Sequence, residues 1–272
     1  MCMCAVCVCR CLQVLANKEF FQAAFIANGK KYNLNPDLKN YRPDGNGLPI
    51  HGLLNFSNNW KMIGIGADEK SAWVTSRLEF FRIPEYMAQF PFAHTIDMTY
   101  RLANGVLEVE TEVTNMSFEK MPLIIGYHPY FRVHDAPRAE WKVTLPAKLH
   151  VTLNSKLTPT GETTPNPYSD PHVLAATQLD DVFTGLVRDS KGQAEFSVQG
   201  KNQKVSVIYG PKYPVAVVYA PAGPNRNFIC FEPMTGVTNS MNLAHEGKYK
   251  ELQSIAPGGV WKESYWVKPS GF

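Results

Sequence analysis

The stretch "VLEVETEV" (residues 106–113) alternates without a break. Leu107, Val109, Thr111 and Val113 share one side of an extended chain, and Glu108, Glu110 and Glu112 share the other. Successive side chains of a strand point to opposite faces, so this pattern is a half-buried antiparallel strand with one wet face. Its surroundings read the same way. "EFSVQGKNQKVSVIYG" (195–210) is two strands joined at Gly200-Lys201-Asn202, and "VSVIYGPKYPVAVVYAP" (205–221) repeats the arrangement through Gly210-Pro211-Lys212. "KVTLPAKLHVTL" (142–153) adds two short strands. Twenty prolines and nineteen glycines punctuate these runs. Helical periodicity is weak, with a turn or two allowed in "PEYMAQF" (84–90) and "PHVLAATQL" (171–179). The polar, proline-rich "PTGETTPNPYSDP" (159–171) reads as a surface loop. Many short strands with turns between them predict an all-β fold, a large antiparallel β-sandwich with few short helices. No linker divides the chain, so residues 21–272 are expected to form one domain.

Composition narrows the function. Hydrophobic residues make up 44 % of the 272 and charged residues 19 %, enough apolar matter for a sizeable core. The net charge of +3 is scattered rather than clustered, which argues against nucleic acid as a partner. No run of 18 or more apolar residues is present, so no membrane-spanning helix is expected. Five of the six cysteines crowd into "MCMCAVCVCRC" (1–11), unlike a disulfide framework spread through a fold. Three readings of that start stay open: a segment without function, a signal-like segment lacking a charged n-region, or a thiophilic metal site through its C-x-C pairs. Residues 1–20 are set apart from the fold on this reading. A cytoplasmic location is expected, with secretion left open by the same segment. Cys230 lies alone in an apolar stretch and reads as a small core residue.

Nucleotide-binding loops and the G-x-S-x-G elbow are absent. Four polar positions stand among apolar or aromatic neighbours instead. His128, in "GYHPYFRV" (126–133), is followed by Pro129, which biases it toward an extended conformation at a strand end. There it reads either as a hydrogen-bonded core histidine or as a proton-transfer group. Glu232, in "NFICFEPMTG" (227–236), ends an apolar run and also precedes a proline. A carboxylate so placed is either paired or a candidate general base. His51, in "LPIHGLLNF" (48–56), sits beside Gly52, and Asp180 and Asp181 adjoin in "QLDDVF" (178–183). Each of these also has a structural reading. Tyr130 and Phe131 are candidates to wall a site or to fill the core.

The succession "PIHG … NFSNNW … FPF … LEVETEVTN … MPLIIGYHPYF … LDDVF … FICFEPMTG … IAPGG" resembles the aldose 1-epimerase (galactose mutarotase-like) family from about residue 28 onward. The resemblance implies a β-supersandwich. It implies interconversion of the α and β anomers of a free aldohexose, with a small-molecule sugar as substrate and neither cofactor nor metal. Carried over by motif, His128 is implied as the general acid at the ring oxygen and Glu232 as the general base at the anomeric hydroxyl. His51 is implied as a second histidine holding the sugar. Asp180, first in "D-x-x-F", is implied as a hydroxyl-binding carboxylate, with Asp181 the weaker candidate.

One departure is visible. Family members carry an "NR" arginine ahead of the segment matched here by "NGKKYNL" (28–34), and "FFQAAFIA" (20–27) has none. A chain shortened or wrongly started at the family's first strands, or a different mode of sugar binding, would each account for this. Arg77 in "VTSRLEF" is a candidate substitute. The lack of an obvious phosphate-binding arginine near "HG" favours a neutral sugar. A carbohydrate-binding protein without turnover, and a hydrolase or lyase using Asp180 opposite Glu232, are the alternatives.

Overall fold

The computed structural model describes residues 23–55 and 57–272. The readings of the cysteine-rich start fall outside them. Two large antiparallel sheets dominate. One has nine strands in the order His172–Val173, Lys142–Thr144, Ala194–Gln199, Lys204–Tyr209, Val260–Ser270, Val106–Asn115, His94–Ala103, Ser71–Glu79 and Lys61–Ala67. The other has six: Tyr130–Phe131, Ile229–Met234, Val215–Ala220, Leu179–Leu186, Ala147–Leu153 and Pro159–Pro165.

The alternation of residues 106–113 holds in space. Val109, Thr111 and Val113 are buried. On the opposite face Glu110 and Glu112 pair with Lys262 at 2.8 and 3.6 Å, and Glu108 accepts from the Ser264 hydroxyl at 2.7 Å. Inner-face residues of the two sheets share one core. Phe196, Val207, Tyr209 and Tyr265 come from the nine-stranded sheet, and Phe183, Ala216, Val218 and Phe231 from the six-stranded one. Phe196 and Phe231 meet across the layers at 6.2 Å. Burying each such aromatic ring contributes about 1.5–3 kcal/mol.

The six-stranded sheet has a second apolar face. Val151, Val182, Val215, Val217 and Met234 pack there beneath Val237 and Leu243, the latter from the helix Ser240–His245. This two-sided burial separates the two strands expected within residues 205–221. Both strands form, but Lys204–Tyr209 belongs to the nine-stranded sheet and Val215–Ala220 to the six-stranded one. "VAVV" is buried on both faces and needs an interior position in a sheet. The crossing between layers is anchored by buried Tyr213 and by Arg188, whose guanidinium donates to the carbonyls of Gly192, Gly210 and Tyr213.

Two expectations are corrected. Residues 171–179 form no helix. The Leu174 and Ala175 amides donate to the carbonyls of Trp141 and Ala139 instead, and Ala175 has φ +41°. The proline-rich 159–171 is not all loop, since Pro159–Pro165 is the outer strand of the six-stranded sheet. Its two prolines stand at the strand's ends, where a missing N–H is tolerated. The helix expected near 84–90 is present as Pro84–Gln89.

Among the described residues, Lys61–Ala67 is an outer strand of the nine-stranded sheet. Ile65 lies in register with Val74, Tyr100 and Val109 on the core-facing side, yet is 72 % exposed, and Met62 beside it is 64 % exposed. An apolar outer strand invites edge-to-edge association. Ile65→Lys should therefore lower light scattering on heating while shifting stability by no more than about 0.5 kcal/mol. Unchanged scattering would remove this strand as the association site.

His94 is a fully buried imidazole stacked on Phe80 at 4.1 Å, with Nδ1 2.7 Å from the Phe92 carbonyl oxygen. Burial pushes its pKa down to about 4 against the bond to Phe92, which acts the other way. Below an unfolded value near 6.5 the unfolded chain takes up a proton that the folded one refuses. The stabilisation is full above that pH and is lost as the pH falls toward 4, on the order of 3 kcal/mol over the window. Urea melts between pH 7 and 4.5 should show this slope in the native protein and a flatter one in His94→Gln. Equal slopes would contradict it.

Candidate active site

Long-range register brings the two proline-flanked residues together. Tyr130 and Phe131 pair with Cys230 and Ile229, and Gly126 bridges Met234. Carrying that antiparallel register between the two contacts places His128 opposite Glu232. Pro129 and Pro233 have no N–H to give to the intervening ladder, and the Tyr127 amide donates to the Pro233 carbonyl at 3.2 Å. Cross-strand neighbours lie on one face with Cβ atoms about 5 Å apart. The side chains meet: His128 Nε2 is 3.3 Å from Glu232 Oε1, with 4 % and 0 % of the side chains exposed.

The pair lies on the face of the six-stranded sheet turned away from the main core. Strand parity fixes this. Glu232 is in register with Val217, a member of the second apolar cluster, whereas its neighbour Phe231 points into the main core. The Glu232 charge is felt through the sheet, since burial first and that carboxylate second hold the Tyr209 hydroxyl well above the usual phenol range.

Aromatic rings enclose His128. Tyr130 stacks on it at 4.7 Å with 5° between the planes, and Tyr219 meets it edge-on at 6.1 Å. Phe228 packs against both tyrosines at 5.2 and 6.1 Å. Phe131 has the opposite parity and stacks on Phe231 in the core at 6.2 Å. Of the two candidate wall residues, Tyr130 lines the site and Phe131 does not. Tyr219 and Phe228 escape a sequence reading, because "VAVVYAP" presents its tyrosine as an ordinary strand residue.

His51 also arrives here, its ring 5.5 Å from that of His128 at 78°. It holds a left-handed backbone, φ +67°, followed by Gly52 at φ +63°. For a residue other than glycine that conformation is uncommon and clusters at functional turns. The two aspartates separate by strand parity. Asp180 is in register with Tyr219, and Tyr219 with Cys230, so all three share the face that carries Glu232. Asp181 points to the other face, where it binds His150 Nε2 at 2.7 Å and accepts from the Tyr168 hydroxyl at 3.0 Å. Cys230 is fully buried beside the site, between Tyr130 and Tyr219. Arg77 is elsewhere. It forms a two-pronged ion pair with Asp97, 2.6 Å on each side, on the outer face of the nine-stranded sheet.

A buried imidazole and carboxylate are thus in contact, with aromatic planes and a second histidine alongside. Residues 21–268 match the sequence model of the aldose 1-epimerase family. The chain belongs to that family.

Solved structures agree on the fold. A galactose mutarotase-like protein from Clostridium acetobutylicum is 21 % identical with a TM-score of 0.80, over 92 % of this chain and 75 % of that one. An aldose epimerase homologue from C. elegans is 17 % identical with a TM-score of 0.72, over 96 % and 81 %. A galactose 1-epimerase from Lactobacillus acidophilus NCFM is 16 % identical with a TM-score of 0.65, over 92 % and 76 %. At such identities the likeness is one of architecture, and this aldose 1-epimerase family member shares their β-rich sandwich. Among the described residues no group of three or more His, Cys, Asp or Glu is placed to hold a metal ion. No helix among them is long and apolar enough to cross a membrane.

Proposed function

We propose that this chain is an aldose 1-epimerase acting on a free, neutral aldohexose, with His128 as general acid and Glu232 as general base. The contact between His128 Nε2 and Glu232 Oε1 at 3.3 Å supports this reading most strongly. The anomeric oxygen and the ring oxygen of a pyranose are bonded to the same carbon. A donor for one and an acceptor for the other must therefore stand close together, not across a wide pocket.

The reaction balances with these two groups. Glu232 takes the proton of the anomeric hydroxyl. The electron pair left on that oxygen forms the carbonyl, the bond from C1 to the ring oxygen breaks, and His128 supplies the proton that the ring oxygen gains. The open aldehyde turns about C1–C2. The former ring oxygen then attacks the other face, returning its proton to His128 while Glu232 reprotonates the new anomeric hydroxyl. Each side chain ends as it began. Each positioned proton transfer is worth about 10²–10⁴-fold, or roughly 3–5 kcal/mol of barrier. His51 steadies the sugar beside the ring oxygen, and Asp180 accepts from a sugar hydroxyl farther along the same face.

Polarimetry of freshly dissolved α-D-glucose and α-D-galactose tests this. Optical rotation should reach its equilibrium value faster with the protein than in the same buffer alone. Binding detected by calorimetry without any acceleration would leave a carbohydrate-binding protein in place of an enzyme. Release of reducing ends from oligosaccharides would point to a hydrolase.

A further inference from the structure

The acid–base reading assigns nothing to Tyr130, yet its ring lies flat on the His128 imidazole, 5° from parallel. We propose that Tyr130 is a positioning residue that holds the His128 ring in its working plane and offers its π face to the imidazolium. The proposal rests on the assignment of His128 as the acid.

The geometry distinguishes this contact from the others around His128. The Tyr130 and His128 rings are 5° from parallel at 4.7 Å, whereas His51 and Tyr219 approach edge-on at 78° and 85°. An edge-on neighbour leaves the imidazole free to pivot about its own plane, and a flat one does not. A cation over an aromatic face is attracted by the ring's negative quadrupole, so the flat ring also favours the protonated form. The groups that face His128 include Glu232 from Ile229–Met234, His51 from its turn, Tyr219 from Val215–Ala220 and Tyr130 two residues along. Glu232 attracts the imidazolium and a charged His51 would repel it, so Tyr130 works in the same direction as Glu232.

Position explains how the stack is held. Tyr130 is paired with Cys230 in the sheet, and its outer edge rests against Phe228. It is 45 % exposed while the His128 side chain is 4 % exposed, so the stack runs from a half-exposed ring to a buried one. Two residues of one strand point to the same side, and Pro129 between them stiffens the link.

The test compares the full chain with Tyr130→Phe and Tyr130→Leu. The His128 ring signal, assigned by its loss in His128→Asn, is followed by NMR against pH, and sugar kinetics are run on the same samples. In Tyr130→Leu the ring should titrate about half a pH unit or more below wild type. Its kcat should fall roughly 3- to 10-fold with KM changed less than about 2-fold, and the alkaline limb of the rate profile should move with the titration. Tyr130→Phe keeps the flat face and should match wild type in all three. A Tyr130→Leu ring that titrates like wild type would overturn the proposal. So would a Tyr130→Phe shift as large as that of Tyr130→Leu, which would assign the effect to the hydroxyl. The titration needs no turnover. A shifted ring in a chain that accelerates no sugar would therefore keep the stack and remove the acid–base reading instead.

Discussion

Turnover should fall at least about 100-fold in His128→Asn and again in Glu232→Gln, each with the fold intact. The expectation follows from the balance of the reaction. Ring opening removes one proton and adds another, and each variant deletes one of the two groups proposed to move them. Glu232→Gln keeps the shape of the side chain, and His128→Asn keeps a polar group in place of the ring, so both remove the proton-transfer group without leaving an apolar side chain. His128 and Glu232 touch at 3.3 Å and are buried together, so they act as one unit. Losses within a unit are not additive. The double variant should therefore be about as slow as the slower single one, not slower by the product of the two factors. Initial rates by polarimetry, with circular dichroism to confirm folding, decide this. Wild-type rates in both single variants would mean that the roles are wrong.

The second large effect separates neighbours in sequence. Asp180→Asn should lower kcat/KM by about 10-fold or more, mainly through KM, as expected when a charge-assisted hydrogen bond of roughly 1.5–3 kcal/mol to a sugar hydroxyl is lost. Asp181→Asn should leave the kinetics of the folded protein unchanged and cost roughly 1–3 kcal/mol of stability. The difference arises from strand parity alone. Asp180 faces the side that carries Glu232, whereas Asp181 is held by His150 and Tyr168 at 2.7 and 3.0 Å on the other side. Urea melts beside saturation kinetics measure both quantities. Kinetic loss in Asp181→Asn with normal Asp180→Asn kinetics would reverse the assignment.

The contrast shows what a sequence carries and what it leaves to the fold. Alternation at 106–113 is a local property, and the strand follows from it directly. The oddity of His128 and Glu232 is also local: each is a titratable group that follows an apolar run and precedes a proline. What is not local is register. Nothing in "HPYF" or "FEP" states that the two segments pair, and the contact appears only once Gly126 and Tyr130 find Met234 and Cys230. The same limit applies at 205–221, where the two strands are legible but the sheet each joins is not. A glycine–proline turn between two strands looks alike whether they pair or part into different layers. "PHVLAATQL" shows weak periodicity overruled by tertiary hydrogen bonds to Trp141 and Ala139. Resemblance supplied the roles of His51 and Asp180, which their own segments do not carry.

In the proposed reaction His128 and Glu232 address two oxygens on one carbon. A crystal structure of Glu232→Gln soaked with D-galactose or D-glucose would show where those oxygens lie. The pyranose ring oxygen should lie within about 3 Å of His128 Nε2, and the anomeric oxygen at a similar distance from the residue-232 side chain. A sugar bound in any other orientation, or away from residues 128 and 232, would contradict it.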